Sequence, residues 1–183
     1  MYTVAVVVGS LRKASINKKL ARALEKTGSD LFTFSHVDIS AIPLYNQDLD
    51  DTIPAVVRDM KEQIAKADAV LFVTPEYNRS IPGVLKNVLD WGSRPYGQNV
   101  WAGKPAAMAG SSAGAVATAV AQGHLRSVLS FLGMKLTAQP ELYFRDLPDL
   151  VADDGTVQDE RTKAYLRAFL VSFKDWVEQF TKM

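Results

Sequence analysis

Hydroxyl, amide and cationic side chains crowd the segment GSLRKASIN, residues 9–17, which joins an apolar run to an amphipathic stretch. Ser10 and Ser15 supply hydroxyl donors, Asn17 supplies an amide, and Arg12 supplies a bidentate, charge-assisted contact. The start of the helix predicted here adds unpaired N–H groups and a partial positive charge. These groups together suit an anion, and their types indicate a phosphate group.

The glycine content of this segment limits which phosphate group it suits. A Walker A loop would end in Gly-Lys-Ser/Thr, and a dinucleotide loop would have glycine where Leu11 and Ala14 stand. A pyrophosphate needs those glycines for close approach of the backbone, whereas a terminal monophosphate held by side chains does not. The alternative is that Ser15 is a simple N-cap and Arg12 is solvated.

A second polar segment, TPEYNRSIPGVLKNVLDW, directly follows another apolar run. Pro75 and Pro82 bound its loop and stiffen it, so its backbone N–H groups can be held in a fixed direction. Between them lie Glu76, Tyr77 and Asn78. An aromatic ring beside an amide suits a flat heteroaromatic ring edged with acceptors. The alternative is an ordinary surface loop with a packed tyrosine.

A third segment, GSSAG at residues 110–114, matches the G-x-S-x-G nucleophile elbow and lies between a predicted strand and a predicted helix. A hydrolase of this type has its catalytic serine, acid and histidine in that order along the chain, and this sequence lacks that order. The only later histidine is His124, inside the predicted helix, and no acid separates it from Ser112. Small residues instead favour close approach of a ring to the backbone, and His124 is predicted to lie on the surface of its helix or at an interface.

The elements that must position these segments alternate between apolar runs and amphipathic stretches, which predicts an α/β fold with a doubly wound, five-stranded parallel sheet and helices on both faces. The strand order is either flavodoxin-like, 2-1-3-4-5, or a truncated Rossmann order. In both, ligands bind at the carboxyl ends of the strands, so the three segments should meet. The predicted strands are 4–8, 31–39, 69–74, 105–110 and 135–140, and the predicted helices are 14–26, one opened by Pro54, 82–91, 115–132 and 162–180.

Composition limits the number of domains, the classes of partner and the cellular location that the chain can have. A chain of 183 residues, nearly half of them hydrophobic, suits a single domain over 1–183. The net charge of +1 and the mixing of acids and bases argue against a nucleic-acid partner. The absence of cysteine excludes disulfides and thiol chemistry. No apolar run suggests membrane insertion or a signal peptide, so a cytoplasmic location is expected.

With these segments in order, the chain resembles the NAD(P)H-dependent FMN reductase family, and most closely its bacterial quinone and chromate reductases. The resemblance rests on GSLRKASIN, on TPEYNRSIPGVLKNVLDW and on GSSAG followed by Ala121 and Gln122. It implies a flavodoxin-like fold, one FMN per subunit, NADPH or NADH as co-substrate, small-molecule electron acceptors, and a homodimer or homotetramer with the flavin near an interface.

The resemblance also implies roles for individual residues. It implies that Ser10, Arg12, Ser15 and Asn17 hold the phosphate. It places Pro75, Glu76, Tyr77 and Asn78 along the isoalloxazine ring, and Ser111, Ser112 and Gly114 near the other side of the ring.

Flavin chemistry requires position, electrostatics and an open face from the protein, so no catalytic side chain is named. The expected reaction is ping-pong hydride transfer through bound FMN to quinones and to acceptors such as chromate. The alternatives are a flavodoxin-like electron carrier, against which the balanced charge argues, and a non-enzymatic regulator. The aromatic loop at Asp90 to Trp101 has three alternative roles: it shapes the opening through which substrates enter, it contacts another subunit, or it packs as an ordinary aromatic loop.

Overall fold

The computed structural model describes residues 1–148 and 150–181, and a parallel six-stranded sheet forms its centre. The strands follow the order β2-β1-β3-β4-β5, with β6 also paired to β4. The strands are β1 (Tyr2–Val8), β2 (Phe32–His36), β3 (Ala69–Val73), β4 (Pro105–Ser112), β5 (Lys135–Leu136) and β6 (Leu142–Arg145). The helices are α1 (Ile16–Thr27), α2 (Ala55–Lys66), α3 (Gly83–Gly92), α4 (Ala119–Phe131) and α5 (Glu160–Thr181), with a 3-10 turn at Gln47–Leu49.

This order confirms the flavodoxin-like alternative, but the predicted single fifth strand is wrong. β5 pairs with Pro105 and Ala106 at the start of β4, whereas β6 pairs with 109–112 at its end. Two short strands therefore share the edge position that the sequence assigned to 135–140. Pro140 lies between them and has no N–H group to donate to a ladder, which disfavours one continuous strand there.

Helices cover both faces of the sheet because its strands are apolar on both sides. Val4 and Val6 of β1 face a core formed with α1 and α5, while Ala5 and Val7 face a core formed with α2, α3 and α4. This alternation follows from the two-residue period of a strand. Val8 and Val73, the last residues of β1 and β3, belong to the first of these cores, so the loops that follow them start from buried positions.

Helix ends match the expected residue types at several positions. Ser15 is the N-cap of α1 and Gly28 its C-cap, and the Gly28 N–H donates to the Leu24 carbonyl at 2.9 Å. Pro54 precedes α2 as its N-cap. Gly133 follows α4 with φ +80°, a conformation that glycine adopts without strain.

The segment around 111–118 differs from its prediction. Strand β4 continues to Ser112 instead of ending at Gly110, and α4 begins at Ala119 instead of Ala115. Ala117 has φ +50°, which interrupts any helix across 115–118. Helix propensity in this alanine-rich segment is overridden by the turn that leads the chain from the sheet to α4.

None of the helices in the described ranges is both long and apolar enough to cross a membrane.

Candidate active site

A cleft of about 140 Å³ lies at the carboxyl ends of β1, β3 and β4, where the three polar segments meet. All of the sequence-predicted site residues except Asn78 and Gly114 line it, and those two are exposed residues of the same loops. Ile16 and Ala113 also line it and were not predicted. The lining residues are Ser10, Arg12, Ser15, Ile16, Asn17, Pro75, Glu76, Tyr77, Ser111, Ser112 and Ala113.

The first loop presents buried hydroxyl groups with an exposed cation at the rim. Ser10 and Ser15 are buried, whereas the Arg12 side chain is exposed. Ser15 Oγ accepts a hydrogen bond from Lys18 N at 3.4 Å, so the N-cap alternative for Ser15 is realised. The cap does not remove Ser15 from the cleft, because the same side chain also lines it. The loop thus combines a helix N-terminus, hydroxyl groups and a guanidinium, as an anion site requires.

The second loop is fixed by a tight turn as well as by its prolines. Tyr77 N donates to the Ser80 carbonyl at 2.9 Å, and Ser80 N donates to the Tyr77 carbonyl at 3.0 Å. The central residues, Asn78 and Arg79, have φ of +50° and +63°. This pattern is a two-residue type I′ turn, formed here without glycine. Such backbone strain persists only where neighbouring structure holds it, and it occurs often at ligand sites.

Two side-chain contacts hold this turn against α4. Glu76 Oε2 accepts from Ala121 N at 3.0 Å, in the first turn of the helix. His124 Nδ1 lies 3.1 Å from Ser80 Oγ. Glu76 therefore supplies the N-terminal cap that the Thr118 side chain does not provide. No local sequence signal predicts this cap, since the carboxylate and the helix N–H group lie 45 residues apart along the chain.

Close packing requires glycine at position 110, where the third polar segment begins. A Cβ on Gly110 would lie 2.2 Å from Thr118 Oγ1 and 2.4 Å from the Thr74 carbonyl oxygen. Ser112 Oγ accepts from Gly114 N at 3.1 Å, whereas His124 contacts Ser80. The serine and histidine of a hydrolase are therefore not paired. His124 lies exposed on α4, as predicted.

Asn17 joins the first loop to the third. Its Nδ2 donates to the Ser111 carbonyl at 2.9 Å, and its Oδ1 accepts from Ser111 N at 2.8 Å. The Asn17 side chain is buried, and so is Ser111. Ser111 Oγ has no hydrogen-bond partner among the described residues, although it is fully buried and its residue lines the cleft. An unpaired buried hydroxyl at such a place is available to a ligand.

Residues of the loop at 90–101 line a groove that is separate from the cleft. Lys61 Nζ donates to the carbonyls of Arg94 and Gln98, the latter at 3.0 Å, and burial lowers the pKa of this ammonium group. The Arg94 guanidinium lies 6.0 Å from the centre of the Tyr45 ring. Lys61 was not among the sequence-predicted residues. The groove has a volume of about 740 Å³ and shares no residue with the cleft; it is lined by Tyr45, Lys86, Asp90, Ser93, Arg94, Tyr96, Gly97, Asn99, Ser127, Val128, Phe131 and Leu132.

Comparison with known proteins shows the family to which the chain belongs. The sequence profile of the family described as NADPH-dependent FMN reductase matches residues 2–147. This chain belongs to that family.

Similar proteins cover nearly the whole length of this FMN reductase family member. A 2-hydroxy-1,4-benzoquinone reductase from a Burkholderia species is 52% identical over 174 residues, which are 95% of each chain. A quinone reductase from Pseudomonas putida is 45% identical over 179 residues, or 97% of this chain and 96% of the other. The solved structure of FerB, a flavoenzyme NAD(P)H:(acceptor) oxidoreductase from Paracoccus denitrificans, superposes with a TM-score of 0.95 at 45% identity, covering 98% of this chain and 99% of FerB.

Family membership confirms the prediction of an NAD(P)H-dependent FMN-containing reductase, with FMN as cofactor and NADPH or NADH as co-substrate. The residues of the cleft suit FMN. Hydroxyl groups, a helix N-terminus and the Arg12 guanidinium match a terminal phosphate. The unpaired Ser111 hydroxyl suits the polar edge of a flavin ring, which carries hydrogen-bonding atoms.

Proposed function

We propose that this FMN-dependent enzyme uses NADH or NADPH to reduce quinones, and other small acceptors such as chromate, by a ping-pong mechanism. The observation that carries the proposal is the convergence of three polar loops on one cleft in a chain of this family. The quinone reductases among its relatives support quinones as the acceptor class.

In this proposal the cleft binds FMN with its phosphate at the first loop and its ring at the other two. Ser10, Ser15 and Arg12 bind the phosphate, supported by their position at the start of α1. The second loop contributes Pro75, Glu76, Tyr77 and Asn78 along the ring, and the third contributes Ser111, Ser112 and Gly114. Asn17 belongs to the same site through its two hydrogen bonds to the Ser111 backbone.

Bound FMN supplies the redox chemistry, accepting a hydride from the nicotinamide and passing electrons to the acceptor. The protein residues bind and orient. The type I′ turn at Tyr77 to Ser80 and its Glu76 contact with α4 keep the second loop in one conformation. Because two walls of the cleft are then occupied by protein, nicotinamide and acceptor share the remaining open face and use it in turn.

The rival function is an electron carrier without a substrate of its own. Carriers on this fold are usually acidic for docking to partners, whereas this chain has a net charge of +1. The charge balance therefore favours an enzyme that acts on small molecules.

We also propose a domain organisation, an oligomeric state and a cellular location. We expect residues 1–183 to form one domain, the protein to assemble as a homodimer or homotetramer, and the enzyme to work in the cytoplasm. Large apolar side chains on the surface support assembly, since Tyr96 and Phe131 are 94% and 89% exposed.

Steady-state and pre-steady-state kinetics test the mechanism. Double-reciprocal plots of NAD(P)H oxidation at several quinone concentrations should give parallel lines. Addition of NAD(P)H without acceptor should bleach the flavin absorbance of the holoenzyme. Intersecting lines with no bleaching would exclude the ping-pong proposal, and bleaching without turnover on any quinone or chromate would favour the electron carrier.

A further inference from the structure

Asn17 completes the sheet at the point where β3 stops. The last pair in the β3–β4 ladder is Val73 with Ala109, and Thr74 N still donates to the Ala109 carbonyl at 3.0 Å. Ser111 lies two residues farther along β4, so its N–H and C=O point to the same side as those of Ala109. No backbone of β3 remains there to pair with them, and the Asn17 amide takes its place with one donor and one acceptor.

This arrangement fixes the position of the Ser111 hydroxyl. Both Asn17 contacts go to the backbone of Ser111, at 2.9 and 2.8 Å, and both residues are buried. The neighbouring hydroxyl has no partner within the described part of the chain. Because both the N–H and the carbonyl of Ser111 are held, the direction of its Cα–Cβ bond is fixed, so Ser111 Oγ is pre-positioned in the cleft instead of being recruited when a ligand binds.

We propose that Asn17 is a positioning residue that acts through Ser111, and not a ligand of the FMN phosphate. The inference rests on the proposed FMN site and deepens it. The side chain lies in the phosphate-binding segment by sequence, but its hydrogen bonds go to the loop assigned to the ring. Asn17 thereby couples the two halves of the site, and its loss weakens binding of the ring.

Riboflavin, which has the ring but lacks the phosphate, separates the two roles. Affinities of the flavin-free full-length protein for FMN and for riboflavin are measured by quenching of flavin fluorescence. Asn17→Ala should weaken both by the same factor, roughly 2- to 12-fold for a neutral hydrogen bond. Arg12→Ala is the matched control and should weaken FMN alone. Circular dichroism verifies folding, and Asn17→Ser replaces Asn17→Ala if the latter does not fold, since one hydroxyl group cannot span both Ser111 backbone atoms.

A double-mutant cycle on FMN alone gives a second readout. If Asn17 acts through Ser111, Asn17→Ala and Ser111→Ala together should weaken FMN binding by less than the product of their separate effects. The losses of FMN affinity caused by Asn17→Ala and by Arg12→Ala should instead multiply in the double variant.

Each outcome has one meaning. An equal loss for both flavins, with coupling to Ser111, supports the inference. A loss for FMN alone, coupling to Arg12, or no loss for either flavin overturns it. Failure of the wild-type protein to bind either flavin would instead overturn the proposed FMN site.

Discussion

Arg12 is the exposed cation of the cleft, so its contribution to binding can be measured without disturbing the fold. Arg12→Ala should lower FMN affinity roughly 10- to 150-fold, because a hydrogen bond to a charged group contributes about 1.5–3 kcal/mol. Fluorescence titration measures the affinity. Lys13→Ala is the control, since Lys13 is an equally exposed neighbour that does not line the cleft. Equal affinities for wild type and Arg12→Ala would remove Arg12 from the phosphate site.

Gly110 is the position of the GSSAG segment at which packing excludes a side chain. A Cβ there would meet the Thr118 hydroxyl and the Thr74 carbonyl, and a carbonyl in the backbone cannot move aside as a flexible side chain can. Gly110→Ala should therefore destabilise the protein by about 1–3 kcal/mol. Urea unfolding of the flavin-free chain measures this.

Gly123 provides the matched control for that substitution. A Cβ there would meet no atom within 4 Å beyond its chain neighbours and the backbone of its own helix, α4. Gly123→Ala should be neutral or stabilise by up to about 1 kcal/mol through helix propensity. Identical unfolding midpoints for the two variants would contradict the packing role of Gly110.

At the scale of elements, α4 depends on a cap from another loop. The Glu76 side chain is only 10% exposed, and it accepts from a backbone N–H at the start of the helix. The partial positive charge at that helix end strengthens the contact. One carboxylate thus fixes both the second loop of the cleft and the beginning of α4.

Glu76→Ala should lower the free energy of unfolding by about 1–3 kcal/mol, because it removes a hydrogen bond to a charged group. Glu76→Gln should lose less, since the amide oxygen still accepts the bond. Urea unfolding compares these with Glu62→Ala, which removes one partner of an exposed pair with Lys66 and should cost at most about 0.5 kcal/mol. A Glu76→Ala protein as stable as Glu62→Ala would show that the cap is dispensable.

At the scale of the whole molecule, two large apolar side chains stay exposed beside one groove. Leu125 and Leu129 of α4 are buried in the subunit core, so they are not available to a second subunit. Among the described residues, Tyr96 and Phe131 are the most exposed of the large apolar side chains, and both line the groove of about 740 Å³. A second copy of the chain is the occupant we expect there.

Phe131→Glu should shift the homo-oligomer toward smaller species in light scattering, because it places a charge in an apolar contact, while the exposed position leaves the subunit folded. Val171→Glu is the control, on α5 at the opposite face of the sheet and 40% exposed. A wild-type monomer at micromolar concentration would contradict assembly. An unchanged size for Phe131→Glu would move the interface elsewhere.

The sequence by itself determined the features whose signals are local. The two-sided apolar runs predict a parallel sheet with helices on both faces, and strand alternation sets which side chain enters which core. Ser15 and Gly28 mark the ends of α1 through the properties of their own side chains. Because the three polar segments each follow a parallel strand, they meet at the carboxyl ends of the sheet, so the lining of the cleft was largely predictable.

The tertiary structure alone decided which distant groups meet. Asn17 bonds to Ser111, and Glu76 to the backbone of Ala121, through pairings 94 and 45 residues apart that have no local signature. The pairing of β5 with the start of β4 and of β6 with its end also appears only in the assembled sheet. Local propensity acts over a few residues, whereas each of these contacts requires the sheet to be assembled first. This is why Asn17, predicted from the sequence to bind phosphate, is found hydrogen-bonded to Ser111 near the end of β4.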